Sequence, residues 1–196
     1  MRSDDQTAGR GRKCGLTGKN TWRNAGTVLG VLVMLAAGSL VWSQSVESAP
    51  GCGPEKEKFE VKTEKHVAPA VEADARKAMV YFIEDDKQFL SVPKPTVRAG
   101  IDGAWVGATH GTSYFSVAVE PGERHVCAVW QSKVVLLAGL QSAALHFTAE
   151  AGKTYYFRIR NKWNKEQPTE MKLEALDSDA GKLLVGQFAQ SVFRKK

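Results

Sequence analysis

Short runs in which apolar and polar residues alternate constrain the fold of this chain most strongly. In Ser113–Val119 the residues Phe115, Val117 and Val119 share one face of an extended strand, and Thr154–Arg160 alternates in the same way. Alternation with a period of two is typical of a strand with one buried face. The strongest turn signals between such runs are Asp102-Gly103, Pro121-Gly122 and Ala151-Gly152-Lys153. The pattern therefore predicts antiparallel strands joined by tight turns.

We expect about seven to eight such strands in one domain, because turn signals recur roughly every 8–12 residues. Helical spacing of apolar residues occurs near the end, over Ala180–Ala189. The predicted fold class is mainly β: an antiparallel β-sandwich with a short C-terminal helix, preceded by an N-terminal signal or apolar helix. The predicted interior consists of Phe115, Val117, Val119, Leu145, Phe147, Tyr155, Phe157, Ile159 and Leu173. The opposite phase, predicted to face solvent, consists of Ser116, His146, Thr148, Tyr156, Arg158, Arg160, Lys172 and Glu174.

A basic segment followed by an apolar one marks the start of the chain. Arg10–Arg23 is basic and polar, Ala25–Trp42 is a run of 18 almost wholly apolar residues, and small polar residues follow. This order is typical of an export signal, for which Ser43–Ser45 supplies small residues at the cleavage positions. An uncleaved anchor and a lipoprotein modified at Cys52 are the alternatives. We therefore expect residues 1–45 to be a signal peptide or anchor, and the remainder to be exported to the periplasm or cell envelope.

The exported part divides into two segments. Residues 46–76 are charged and rich in Pro and Ala, which indicates an extended segment leading into the domain, and residues 77–192 carry the predicted sandwich. The net charge of +6 is shared equally by the two parts of the chain. Six basic and three acidic residues precede Cys52, and 21 basic and 18 acidic residues follow it. Basic residues are not clustered on one element, so nucleic acid is not an expected partner. Membrane contact is expected only through an uncleaved N-terminal segment.

Cysteine usage agrees with export. Cys14 precedes the apolar run, so Cys52 and Cys127 are the pair left in the exported part. In an oxidising compartment, two thiols in one small domain are more often paired than free. We predict a Cys52–Cys127 disulfide, with two separate buried thiols as the alternative.

No catalytic or cofactor motif is recognisable in the sequence. The histidines lie far apart, at His66, His110, His125 and His146. Metal ligands usually show much tighter spacing, and a site through His125 and Cys127 would fail once that cysteine is oxidised. The acidic run Glu84–Asp86 lacks the spaced ligands of a calcium loop and is expected to form a solvated turn. We therefore predict no enzyme activity, no catalytic or metal-binding residues and no cofactor.

Aromatic and basic residues supply a candidate binding surface, made of Trp105, Tyr156, Arg158, Arg160 and Trp163. The two arginines share the outward phase of one strand with Tyr156, while the two tryptophans lie beside a hairpin tip and in a polar loop. Aromatic side chains suit recognition surfaces, and a basic row suits an anion or a sugar. Cross-strand ion pairs and filling of the core explain the same residues without any ligand.

Four segments in succession carry a resemblance to a known family: IDGAWVGA, SYFSVAVEPGERHVCAVW, FTAEAGKTYYFRIR and MKLEALDSDAGKLL. Over about Lys77–Leu184 the chain resembles an uncharacterised bacterial family, domain of unknown function 2846. The resemblance implies a β-sandwich in an exported or lipid-anchored envelope protein, and it implies no activity, because the family has none assigned. The chain departs from lipoprotein members at Cys52, where the expected leucine of a lipidation site is missing.

Together, these observations favour an exported, non-catalytic cell-envelope β-sandwich that serves as an interaction module for an unknown envelope protein or glycan. The alternative is a small periplasmic hydrolase or metal-binding protein that uses its scattered histidines and acidic residues. Clustering of histidines with a carboxylate in one concave pocket would favour the alternative.

Overall fold

The computed structural model describes residues 52–65, 74–90, 93–132, 139–164 and 166–196. The chain separates into two units, Met1–Trp42 and Ser43–Lys196, and every described residue belongs to the second. The predicted signal segment and His66 lie outside the described residues. Within these ranges, no helix combines the length and the hydrophobicity that a membrane span requires.

The described part of the domain is mainly β, as predicted, with one short helix near the C-terminus. In chain order, its elements are β1 (Phe59–Glu64), β2 (Ala78–Asp85), β3 (Thr96–Ile101), β4 (Ala104–His110), β5 (Ser113–Val119), β6 (Gly122–Trp130), β7 (Ser142–Ala149), β8 (Thr154–Asn164), β9 (Gln167–Leu176), α1 (Ser178–Gln187) and β10 (Ala189–Lys195). A six-stranded sheet has the order β1-β10-β5-β2-β8-β9, and a four-stranded sheet has the order β4-β3-β6-β7.

The six-stranded sheet differs from the predicted antiparallel arrangement. β2 pairs with β8 in parallel, and β10 pairs with β5 in parallel, so this sheet is mixed. The helix does not close the chain, because β10 follows it and pairs with β1 in antiparallel register from Phe59 and Lys195 to Glu64 and Gln190. Residues of the predicted lead-in segment 46–76 therefore form an edge strand of the domain.

The interior lies between the two sheets, and the predicted strand phase is confirmed there. Phe115, Phe157 and Ile159 are at most 2% exposed, and the other predicted interior residues belong to the same cluster or pack against it. The ring centroids of Phe82 and Phe115 are 5.3 Å apart, and those of Phe147 and Phe157 are 4.9 Å apart. Aromatic contacts of this kind add to the stabilisation that burial provides.

The outer face of the six-stranded sheet is covered in part by α1, so the prediction that Tyr156 faces solvent is wrong. Tyr156 is 7% exposed, and its ring stacks on Tyr81 with centroids 5.1 Å apart. Gly181 of α1 lies directly above, because a Cβ atom at that position would come within 2.1 Å of the Tyr156 Cγ atom. The absence of a side chain at Gly181 therefore lets the helix approach the sheet.

Candidate functional site

The candidate binding residues do not form one surface. Trp105 lies in β4 of the four-stranded sheet, and the other four lie in β8 of the six-stranded sheet. Tyr156, Arg158 and Arg160 share the outer face of β8, whereas the ring of Trp163 packs towards the interior with its centroid 6.3 Å from that of Phe89. The five residues therefore occupy three separate environments.

Trp105 is enclosed by the segment that precedes β1. Its Nε1 atom donates a hydrogen bond of 2.7 Å to the carbonyl oxygen of Pro54, and the Arg98 guanidinium lies 4.3 Å from the ring centroid. Gly53 packs so closely that a Cβ atom there would lie 2.6 Å from the ring. Because the side chain is 7% exposed, the indole offers little surface on which a sugar could stack.

The predicted disulfide fastens this segment and is confirmed. Cys52 is bonded to Cys127 of β6, with Cα atoms 5.4 Å apart, and Cys127 is fully buried. Arg98 adds a second attachment, since its Nη1 atom donates to the carbonyl oxygens of Glu55 at 2.8 Å and Glu57 at 2.6 Å. The segment is thus held to the four-stranded sheet both covalently and by charge-assisted hydrogen bonds.

A cleft of about 650 Å³ opens beside this fastened segment. It is lined by Cys52, Gly53, Pro54, Glu55, Arg98, Gly103, Trp105, Val129, Leu140 and Ser142. Leu140 is 45% exposed, and the Nε atom of the buried Arg98 has no hydrogen-bond partner within the described residues. Burial lowers the pKa of Arg98, but the ordinary pKa of an arginine is so high that the side chain remains charged. The cleft therefore combines apolar surface with an incompletely paired cation.

Arg158 and Arg160 converge on one carboxylate instead of facing solvent freely. Both guanidinium groups bond the Glu174 carboxylate, and the Arg158 Nε atom donates to its Oε1 atom at 2.6 Å. Burial raises the pKa of Glu174, but the hydrogen bonds and positive charges of the two arginines outweigh burial and lower it. A smaller cleft of about 290 Å³ lies here, with Asp85 and Lys87 also on its wall. Arg158, Arg160 and Glu174 were predicted to face solvent, but ion pairing leaves these side chains half-buried. The prediction is therefore wrong in the extent of their exposure.

A buried pair of acids escaped the sequence analysis. The solvated turn predicted for Glu84–Asp86 is wrong, because Glu84 is 0% and Asp86 is 1% exposed. Asn161 of β8 bridges the two carboxyls, with its Nδ2 atom donating to Glu84 Oε1 at 3.0 Å and to Asp86 Oδ1 at 2.7 Å. Its Oδ1 atom accepts a hydrogen bond of 2.9 Å from the Trp130 Nε1 atom. The alternation of β2 could have revealed the burial of Glu84, because residue 84 lies on the same core-facing side of the strand as Val80 and Phe82.

The environment of the acid pair raises the pKa of both carboxyl groups. Burial raises the pKa of Glu84 well above its ordinary value, and the adjacent Asp86 raises it further. Burial also raises the pKa of Asp86, against the effect of its hydrogen bond with Asn161. Lys94 donates to the main-chain oxygens of Asp86, at 3.1 Å, and of Phe89. The pair is sealed from solvent, so a substrate could not reach it without a rearrangement of the fold.

The structure brings together two of the histidines that are distant in sequence. His125 and His146 are directly opposite each other in β6 and β7, while the His110 Nδ1 atom lies 3.1 Å from the Thr96 hydroxyl. No group of three or more His, Cys, Asp or Glu side chains within the described ranges is arranged to hold a metal ion.

Comparisons with known proteins identify the family and nothing closer. Neither the curated proteins nor the solved structures contain a significant match to this chain. The matched region of the family model runs from the residues before β2 into β9, and it includes the acid pair and all of the four-stranded sheet. Because the model of the protein family of unknown function DUF2846 matches residues 74–171, half of the 196-residue chain, the protein belongs to that family.

Proposed function

We propose that this protein is an exported, non-catalytic binding module of the cell envelope, and that it holds its partner in the cleft beside the Cys52–Cys127 disulfide. The observation that carries the proposal is the construction of the cleft. One wall is a segment fastened by the disulfide and by the hydrogen bonds of Arg98, so the binding surface is organised before a partner arrives. Preorganisation of this kind reduces the entropy lost on association.

Two features support an extracytoplasmic location. The basic and apolar leader has the order of an export signal. The disulfide supports the same location, because structural disulfides persist in oxidising compartments and are rare in the cytosol.

The chemistry of the described residues favours binding over catalysis. The acid pair Glu84 and Asp86 is sealed in the interior, and the charge of Glu174 is satisfied by two arginines. In the large cleft, the charged lining residues are Glu55 and Arg98, and the sulfur of Cys52 is oxidised. This combination offers no activated nucleophile with an adjacent base.

The lining also favours one kind of partner. Val129 and Leu140 supply apolar surface, while Trp105 and Arg98 line the cleft as side chains that are only 7% and 3% exposed. An extended protein segment that inserts an apolar side chain matches this lining. A neutral glycan matches it less well, because the Trp105 ring is already covered by Gly53 and Arg98.

Site-specific photocrosslinking in the native cells tests the proposal. A photoreactive amino acid replaces Leu140 or Ser142 at the cleft, and a matched control replaces Leu183, which is 60% exposed on α1. We expect one defined envelope protein to be captured from the cleft positions and not from the control. Capture from neither set, or equally from both, would overturn the assignment of the cleft. Recovery of the protein in the cytosol with free Cys52 and Cys127 thiols would overturn the export proposal separately.

A further inference from the structure

Two exposed histidines form a cross-strand pair on the outer face of the four-stranded sheet. His125 of β6 and His146 of β7 are direct partners in the antiparallel register, and their ring centroids lie 6.2 Å apart. Both side chains are exposed, whereas Leu145 and Phe147 on either side of His146 turn towards the core. The alternation of β7 therefore fixes both imidazoles on the same solvent-facing side.

The backbone beneath this pair is well anchored. The His125 amide donates to the Asp102 Oδ1 atom at 2.9 Å, and the Asp102 amide donates to the His125 carbonyl oxygen at 2.9 Å. Arg124 holds the same aspartate through an ion pair of 2.9 Å. On its other side, β6 is bonded to β7 along eight register pairs from Gly122 and Ala149 to Val129 and Ser142. The relative position of the two histidines is thus set by the sheet before any ligand binds.

We propose that His125 and His146 chelate a divalent transition-metal ion, with Cu²⁺ bound most tightly. Imidazole nitrogens bind such ions at about 2.0–2.1 Å, which places the centroids of two rings on one ion roughly 5 Å apart. Side-chain rotation covers the difference from 6.2 Å, because both rings are exposed and free to turn. Capture by one imidazole then presents the second at high effective concentration.

The surrounding residues determine which metal ion is preferred and what kind of site is formed. Nitrogen ligands favour Cu²⁺ over Zn²⁺ and over the earlier divalent metals of the same row. Cys127 follows His125 on the same face of β6 but is held in the disulfide, so it provides no thiolate. Glu123, exposed two residues before His125, adds negative charge on the same face. Two protein ligands leave the remaining positions to water, which describes an exchangeable surface site and not a buried structural one.

Stacking of the rings is a competing explanation of the pair. A cross-strand aromatic contact contributes modest stability to a sheet and needs no ligand. The two explanations differ in whether Cu²⁺ binds at these residues. Stacking alone gives no reason for the protein to bind the ion there. The metal proposal is also independent of the cleft proposed above, which lies around Trp105 and Leu140.

Copper titration of the disulfide-bonded protein, purified without a histidine tag, tests the proposal. Isothermal titration calorimetry gives the affinity, and electron paramagnetic resonance reports the number of nitrogen ligands. We expect His125→Ala and His146→Ala each to weaken Cu²⁺ binding at least about tenfold and to reduce the coordinated protein imidazoles from two to one. Thr148→Ala, on the same exposed face of β7, and His110→Ala are the matched controls and should leave the affinity unchanged.

Two results would overturn the assignment. One is an unchanged affinity in both His125→Ala and His146→Ala. The other is loss of binding in His66→Ala or His110→Ala while the cross-strand pair is dispensable. Circular dichroism of each variant establishes that the fold is intact, and His125→Asn with His146→Asn provides a second pair of substitutions should either alanine variant fail to fold.

Discussion

Substitution of Glu84 by glutamine should make the domain more stable near neutral pH. Glu84 is fully buried, and its Oε2 atom has no hydrogen-bond partner within the described part of the chain. Glutamine reproduces the shape and the neutral state of the protonated acid. Its amide oxygen can accept from Asn161, as Glu84 Oε1 does, and its NH₂ group can donate towards Asp86.

The magnitude follows from the raised pKa of Glu84. In the unfolded chain a glutamate titrates near about pH 4.3, so an acid kept neutral by folding contributes its full stabilisation below that pH. As the pH rises, this contribution is lost until the folded pKa is passed, at a rate of up to about 1.4 kcal/mol per pH unit. The wild-type protein therefore loses stability as the pH rises above about 4.3. The glutamine variant does not undergo the part of this loss that is due to Glu84.

Urea denaturation at half-unit steps from about pH 4 to pH 7.5 measures the difference. We expect the free energies of unfolding to be similar at about pH 4 and the gap to widen above it, by no more than about 1.4 kcal/mol per pH unit, until the folded pKa of Glu84 is passed. Glu170→Gln on the exposed face of β9 is the matched control and should change stability by less than about 0.5 kcal/mol at any pH. Parallel pH curves for wild type and Glu84→Gln, or a variant that is less stable throughout, would refute a neutral Glu84.

Three further outcomes are expected. Gly181→Ala should lower stability by at least about 1 kcal/mol in thermal melts, because its Cβ atom would overlap the aromatic ring beneath α1, whereas Gly186→Ala has open space and should not destabilise. Phe157→Ala should cost about 3–5 kcal/mol in urea melts, and a cost below about 1 kcal/mol would contradict its place in the core. Replacing Cys52 and Cys127 by serine should cost about 4 kcal/mol relative to the oxidised protein, since the bond closes a separation of 75 residues; equal midpoints would speak against this constraint.

Local patterns predicted which residues face the interior but not which strands are neighbours. Phe115 and Phe157 were identifiable because alternation is a property of six or seven consecutive residues. The parallel pairing of β2 with β8 was not, since it joins residues more than 70 positions apart and depends on how the two sheets pack. β10 also lacks an apolar alternation, and it is held in part by a 2.8 Å hydrogen bond between Ser191 and Ser113.

The sites were less predictable than the core for the same reason. The Cys52–Cys127 pairing followed from having two cysteines after the predicted signal segment, which leaves one choice of partner. The histidine pair is assembled from two strands, so spacing along the chain carried no signal of that contact. The two acids are near neighbours along the chain, but Asn161, which bridges them, comes from β8. For Glu84 a partial signal existed, because a carboxylate at a core-facing position of β2 must find a buried partner.

The pairing of β1 with β10 has a consequence for how the chain is made. The first and last described strands are neighbours, and β10 also separates β1 from β5. The strands of the four-stranded sheet are all present once residue 149 has emerged, whereas the other sheet lacks one of its inner strands until the final residues are delivered. A chain that crosses a membrane from its N-terminus would expose the unpaired edges of β1 and β5 until β10 has crossed as well. Such edges promote aggregation, so a chain exported in this way would need protection until β10 is available, and cleavage after α1 would leave β1 without its partner.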